Sequence, residues 1–225
     1  MATKMRFVMA RRVVLLAACL GVCTSALGAD QPSASQMWLI NSRRAPCFVG
    51  GGADAAQLEY WRLVSDQWTL ATQADFLAAD DPAVPTVFFI HGNRSDEVEV
   101  AREGYQFHQV LQCQSPNQAL RCVIWSWPAD RITGRARFDA QIKAARTDGQ
   151  SYYVAQLLGR MNPGVRLSLV GHSFGARVIT GALHLLAGGE IAGQRVARAN
   201  PAVQRAPMRA VLVAAAENCD WLAPG

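Results

Sequence analysis

The chain has 225 residues, 51% of them hydrophobic and 17% charged, a balance that excludes an intrinsically disordered protein and supports one sizeable core. The formal net charge of +5 is concentrated at the N-terminus: without Lys4, Arg6, Arg11 and Arg12, 18 basic residues face 17 acidic ones, a net of +1. That near-neutral remainder carries no electrostatic footprint for a nucleic-acid partner.

Residues 1–28 read as an export signal. A basic segment ends at Arg11-Arg12, an apolar run follows from Val13 to Cys23, and Ala26-Leu27-Gly28 offers small residues for cleavage. The run is short for a bilayer span. Leu16-Ala17-Ala18-Cys19 also resembles a bacterial lipoprotein cleavage box, which implies a lipid on Cys19; membrane association is expected only in that case. The expected localisation is periplasmic or extracellular. After cleavage Cys47, Cys113, Cys122 and Cys219 remain, an even number that suggests disulfides in an exported chain. Cys113 and Cys122 flank a short turn-rich loop and form the expected pair; Cys47 with Cys219 is left by elimination. No C-x-x-C pair or His–Cys spacing suggests zinc, and no metal or organic cofactor is implied.

Residues 29–84 read as N-terminal strands and loops of the domain whose core is 85–225. A first strand is expected at 37–40, and two strands at 58–64 and 68–71 around the turn Ser65-Asp66-Gln67. Residues 74–79 fit helix and strand equally, and Asp80-Asp81-Pro82 is a turn. The apolar run Thr86-Val87-Phe88-Phe89-Ile90, ending in His91-Gly92-Asn93, reads as a central parallel strand buried on both faces. A helix over 96–112 carries the stripe Val100, Gly104, Phe107 and Leu111. Cys122 to Trp127 is the next strand, stopped by Pro128. Residues 138–161 are helical, with Asp148-Gly149 a candidate break. A strand at 165–171, a helix from 176 to 186 stopped by Gly188-Gly189, irregular chain over 190–207 and a last strand at 210–215 complete the pattern. Strands alternating with helices imply an α/β fold, with a mostly parallel sheet flanked by helices.

The stretch Leu169-Val170-Gly171-His172-Ser173-Phe174-Gly175 joins an apolar strand to an amphipathic helix. That is the context in which G-x-S-x-G forms a nucleophile elbow, a strained turn that lifts the serine above the sheet edge. Gly171 and Gly175 let strand and helix pass without a Cβ clash. The Phe174 N–H, at the helix start, points toward a developing oxyanion.

The three stretches 88–93, 125–128 and 169–175 occur in this order with domain-like spacing. Together they resemble the α/β-hydrolase superfamily, particularly a bacterial serine-hydrolase-like group with an HG strand end, a WP strand end and a GHSxG elbow. The resemblance covers roughly residues 84–220. It implies an α/β-hydrolase-type sheet and hydrolysis of small-molecule or lipid esters, or related acyl bonds. It implies Ser173 as nucleophile, the Phe174 and Asn93 N–H groups as oxyanion donors, and Glu217 as triad acid, with Asp220 second.

The pattern departs from the family at the C-terminal end. The family's base is a histidine that follows the acid, whereas His91, His108, His172 and His184 all precede Glu217. All four are expected to be structural, and the last strands of the sheet are expected to be missing. A truncated hydrolase, a non-catalytic binding or envelope-associated protein on the same scaffold, and a base supplied by a second polypeptide all fit. The strand at 210–215 is expected to be an open sheet edge.

Overall fold

The computed structural model describes residues 35–47, 58–132, 135–197 and 204–217. The export segment, Cys19, the Cys47–Cys219 pair and Asp220 therefore lie outside the described residues or depend on one that does. In chain order the elements are β1 (Gln36–Asn41), β2 (Glu59–Val64), β3 (Gln67–Ala71), α1 (Gln73–Ala78), β4 (Thr86–Ile90), α2 (Glu97–Gln114), β5 (Arg121–Ser126), α3 (Ala136–Arg160), β6 (Leu167–His172), α4 (Phe174–Leu186) and β7 (Met208–Val213).

The seven strands form one sheet in the order β3-β2-β1-β5-β4-β6-β7. The five from β1 to β7 run parallel, and β2 and β3 add an antiparallel hairpin at one edge. Ser65 and Asp66 turn that hairpin with φ of 47° and 61°, the left-handed pair that matches the twist of adjoining strands. The mostly parallel α/β fold expected from the sequence is present.

Register sorts the core into two layers. Trp38, Val123, Phe88 and Leu169 align across the sheet, as do Ile40, Trp125 and Ile90, and this face packs beneath α3 and α4. The opposite face presents Leu39, Ile124 and Phe89 to α2. There α2 lies so close to β5 that a Cβ on Gly104 would meet Ile124 Cδ1 at 2.2 Å, and Phe107 stacks on Phe89 at 4.9 Å. In β4, Thr86, Phe88 and Ile90 are fully buried while Val87 and Phe89 on the α2 side are only partly so. Beyond β6 on that side, Val211 and Val213 of β7 are 50% and 47% exposed, and among the described residues no strand pairs with the outer edge of β7.

The ambiguous stretch at 74–79 is α1, a six-residue helix whose start is fixed by a capping box between Thr72 and Asp75. The candidate break in α3 does not occur; one helix of 25 residues runs through Asp148 and the buried Gly149. Its close packing on α4, where a Cβ on Gly181 would meet Ser151 Oγ at 2.4 Å, outweighs the cost of about 1 kcal/mol for an interior glycine.

The disulfide expected between Cys113 and Cys122 is not formed in this structure, where both are free thiols. Helix α2 runs two residues beyond the expected end and turns Cys113 to solvent, while Cys122 is buried in β5, where burial pushes its thiol up to about 12.

Candidate active site

The C-terminal ends of β4 and β6 are neighbours. Helix α2 leaves β4 toward one face of the sheet and α4 leaves β6 toward the other. The strand ends at such a reversal are where open α/β sheets bind ligands.

Ser173 stands at those strand ends, partly exposed, with φ 53° and ψ −116°. For a residue with a side chain this conformation costs on the order of 1–3 kcal/mol. Three glycines make room for it. A Cβ on Gly171 would lie 2.6 Å from the Ala176 nitrogen, and one on Gly175 would lie 2.0 Å from the Ile90 carbonyl oxygen. A Cβ on Gly92, beyond β4, would lie 3.3 Å from Ser173 Cβ. The turn is held by hydrogen bonds from the Ser173 N–H to the Val213 carbonyl (2.8 Å) and from the Ala176 and Ala216 N–H groups to the Ser173 carbonyl (3.1 and 3.2 Å). Phe174 is the first residue of α4, so its N–H has no acceptor within the helix and stands at the positive end of the helix dipole.

His91 is buried and fully used. Its Nδ1 donates to the Gly92 carbonyl at 2.9 Å, which leaves Nε2 to accept from the Trp127 N–H at 3.1 Å. Burial, aided by the nearby Arg43 charge, lowers its pKa to about 3, so the ring is neutral near pH 7. It fixes the strand end that carries Gly92 and Asn93.

The Asn93 side chain has a role that sequence reading missed. Its Nδ2 donates to Asp139 Oδ2 (3.1 Å), and its Oδ1 accepts from Lys143 Nζ (2.8 Å) and the Arg94 N–H (2.9 Å). Lys143 Nζ also reaches the carbonyls of Ala129 (2.9 Å) and Asp130 (2.6 Å) and Asp139 Oδ1 (3.3 Å). Asp139 and Lys143 are both fully buried. Burial would raise the Asp139 pKa, but hydrogen bonds from the Ile132 N–H, Asn93 and Lys143 outweigh it and hold the carboxyl down at about 2. Arg43 extends the cluster, donating to Ser126 Oγ (2.9 Å) and the Ser95 carbonyl (3.0 Å) and pairing with Asp130. The ends of β1, β4 and β5 are thus locked to α3 by buried polar contacts. Their only signal in the sequence is the four-residue spacing of Asp139 and Lys143.

Glu217 follows β7. Its Oε1 accepts from Thr180 Oγ1 at 2.9 Å, and its Oε2 is buried without a hydrogen-bond partner among the described residues. It adjoins the elbow through the Ala216–Ser173 backbone bond, but among the described residues its carboxylate makes no hydrogen bond to Ser173. The remaining histidines are dispersed. His172 lies over Gly92, His108 is on α2 across the sheet, and His184 packs on Gly189 at the end of α4. Among the described residues none is hydrogen-bonded to Ser173.

No family of known proteins, no curated protein and no solved structure matches this chain.

Proposed function

We propose that the chain carries a serine acyl-hydrolase site of the α/β-hydrolase type, directed at small-molecule or lipid esters or related acyl bonds, with Ser173 as nucleophile. The observation that carries the reading is the conformation of Ser173: a strained, non-glycine residue at a strand–helix turn beside those strand ends, with three glycines shaped around it. In the reaction Ser173 Oγ forms a bond to the acyl carbon, its proton passes to a base, and the alcohol departs with a proton. Water then releases the acid and restores the hydroxyl. The Phe174 and Asn93 N–H groups are the proposed donors to the oxyanion, each contributing about 3–4 kcal/mol of transition-state stabilisation. Glu217, with one oxygen unpartnered among the described residues, is the proposed acid.

A base is required for turnover. Among the described residues none of the four histidines is hydrogen-bonded to Ser173, which supports a second reading: a non-catalytic protein that binds an acyl group at the same strand ends. A fluorophosphonate probe separates the two. Labelling that disappears in Ser173→Ala supports the nucleophile. With Ser173 a neutral hydroxyl, slow labelling and little or no p-nitrophenyl acetate turnover are expected. Absence of labelling, with the fold intact, supports the binding protein. Export of the chain, with or without a lipid on Cys19, is part of the same proposal; the mass of the mature N-terminus tests it.

A further inference from the structure

His172 is the last residue of β6 and stands directly before Ser173, exposed to solvent. Its ring lies over Gly92: a Cβ on that glycine would meet His172 Nδ1 at 2.9 Å and Ser173 Cβ at 3.3 Å. One atom-sized position beside Gly92 thus borders both the imidazole nitrogen and the serine side chain. Because residue 92 is a glycine, no side chain of its own fills that position. A general base acts within hydrogen-bond reach of the proton it takes, or through one water. The other histidines are placed elsewhere. Both ring nitrogens of His91 are engaged, His108 is on α2 across the sheet, and His184 packs on Gly189. Among the described residues no hydrogen bond or ion pair engages the His172 ring.

We propose that His172 is the general base of Ser173, acting through one water bridged over Gly92. The assignment rests on the reading of Ser173 as nucleophile. As Ser173 Oγ bonds to the acyl carbon, its proton passes to the water and a water proton passes to Nδ1. The ring therefore starts as the tautomer with its hydrogen on Nε2. The carbonyl electron pair moves onto the oxyanion and returns as the bond to the alcohol oxygen breaks. The imidazolium gives its proton back through the same water to the departing alkoxide. A second water, deprotonated along the same route, releases the acid. A base that acts through water leaves Ser173 a neutral hydroxyl at rest, so the reaction is slow. The groups around the ring do not hold it charged. Val213, its partner in β7, and Gly92 are uncharged, and His91 is neutral near pH 7. Asp139 and Lys143, which meet Asn93 one residue beyond Gly92, are opposite in charge.

The test is the rate of fluorophosphonate labelling of the full chain, followed across the pH range in which an imidazole titrates. The rate in the parent chain is expected to rise with pH. His172→Gln is expected to label about 100-fold more slowly, the lower end of general-base effects, and to lose that rise. His172 is exposed, so the thermal transition is expected to stay unchanged. Free imidazole is expected to restore labelling to His172→Ala, which a merely structural role would not allow. His108→Gln, across the sheet, is expected to keep the parent's rate and pH profile. Labelling that disappears in Ser173→Ala but persists in His172→Gln would overturn the assignment and leave Ser173 as nucleophile. A rate that falls as pH rises would show the imidazolium polarising the probe, and would overturn it too. So would a loss in His172→Gln matched by His108→Gln, or His172→Ala that imidazole does not rescue. No labelling of the folded parent chain would remove both the base and the nucleophile.

Discussion

The Ser173 N–H donates to the Val213 carbonyl at 2.8 Å, and the Ala216 N–H returns to the Ser173 carbonyl at 3.2 Å. The elbow is thus held by β7 as well as by its own strand and helix. These bonds maintain φ at 53°, which a serine adopts only under constraint. Ser173→Gly should relieve about 1–3 kcal/mol of strain and give back about 0.5–1 kcal/mol through the freer unfolded chain. The expected net effect is a gain of about 1 kcal/mol, with Ser173→Ala near neutral. Urea denaturation of the three proteins checks the order. A Ser173→Gly variant less stable than Ser173→Ala would show that the turn is not strained.

Gly175 meets backbone where an added methyl would go, with the Ile90 oxygen at 2.0 Å. Backbone on both sides cannot yield as a flexible side chain would. Gly175→Ala should therefore cost at least about 3 kcal/mol, the upper end of ordinary overpacking. Gly159→Ala, in α3, is the contrast: its Cβ would meet only Leu186 Cδ2, at 3.9 Å, and helix propensity should stabilise it by about 1 kcal/mol. Midpoints of denaturant unfolding distinguish the two.

The parts of this fold that were legible in the sequence are those encoded by neighbouring residues. The apolar run ending at Ile90, the Ser65-Asp66 turn and the strand–turn–helix at Ser173 each carry their pattern within a few residues. α1 was illegible by periodicity because six residues make too few turns; its capping box at Thr72 was the available signal. The continuity of α3 depended on packing against α4, which a glycine in isolation does not reveal. The buried polar cluster was hidden for a related reason. Asn93 and Lys143 are 50 residues apart, and the sheet alone brings them together. The proposed contribution of Asn93 was its backbone N–H; the side chain that anchors that backbone emerged only from the fold.

His91 makes stability depend on pH. Its pKa is lowered to about 3 in the folded chain, against about 6.5 when unfolded. Between those values the unfolded state binds the extra proton, so stability is lost as pH falls from about 6.5 toward 3, at up to about 1.4 kcal/mol per pH unit. His91→Gln should be less stable at pH 7, because the Trp127 N–H loses an ideal acceptor. Its stability should nevertheless fall less steeply over this range. Unfolding free energies at several pH values, compared as a difference between the two proteins, remove the contributions of other groups. An unchanged slope in His91→Gln would show that the ring does not titrate with folding.

The Asp139–Lys143 pair should behave as a buried charge pair rather than a surface bridge. Both side chains are fully buried, and Lys143 Nζ has four oxygen atoms within reach. Lys143→Met leaves the Asp139 carboxylate buried without its cation, a loss of about 3–5 kcal/mol. Asp139→Asn removes the charge but turns an amide N–H₂ toward either the Ile132 N–H or Asn93 Nδ2, so it too destabilises. The double variant Asp139→Leu/Lys143→Met removes both charges and should be more stable than Lys143→Met alone. Acid adds an independent check. The folded Asp139 pKa of about 2 lies below the unfolded value of about 3.9, so its contribution is present above 3.9 and is lost as pH falls through 2. Asp139→Asn should lack that acid limb. The fluorophosphonate reaction then separates anchoring from mere stability. At a temperature where Lys143→Met remains folded, its labelling at Ser173 should fall further than that of Gly104→Ser. The latter substitution strains the α2 side of the sheet, away from the Asn93 loop. Equal labelling in the two would show that the pair supports the fold without positioning the Asn93 N–H.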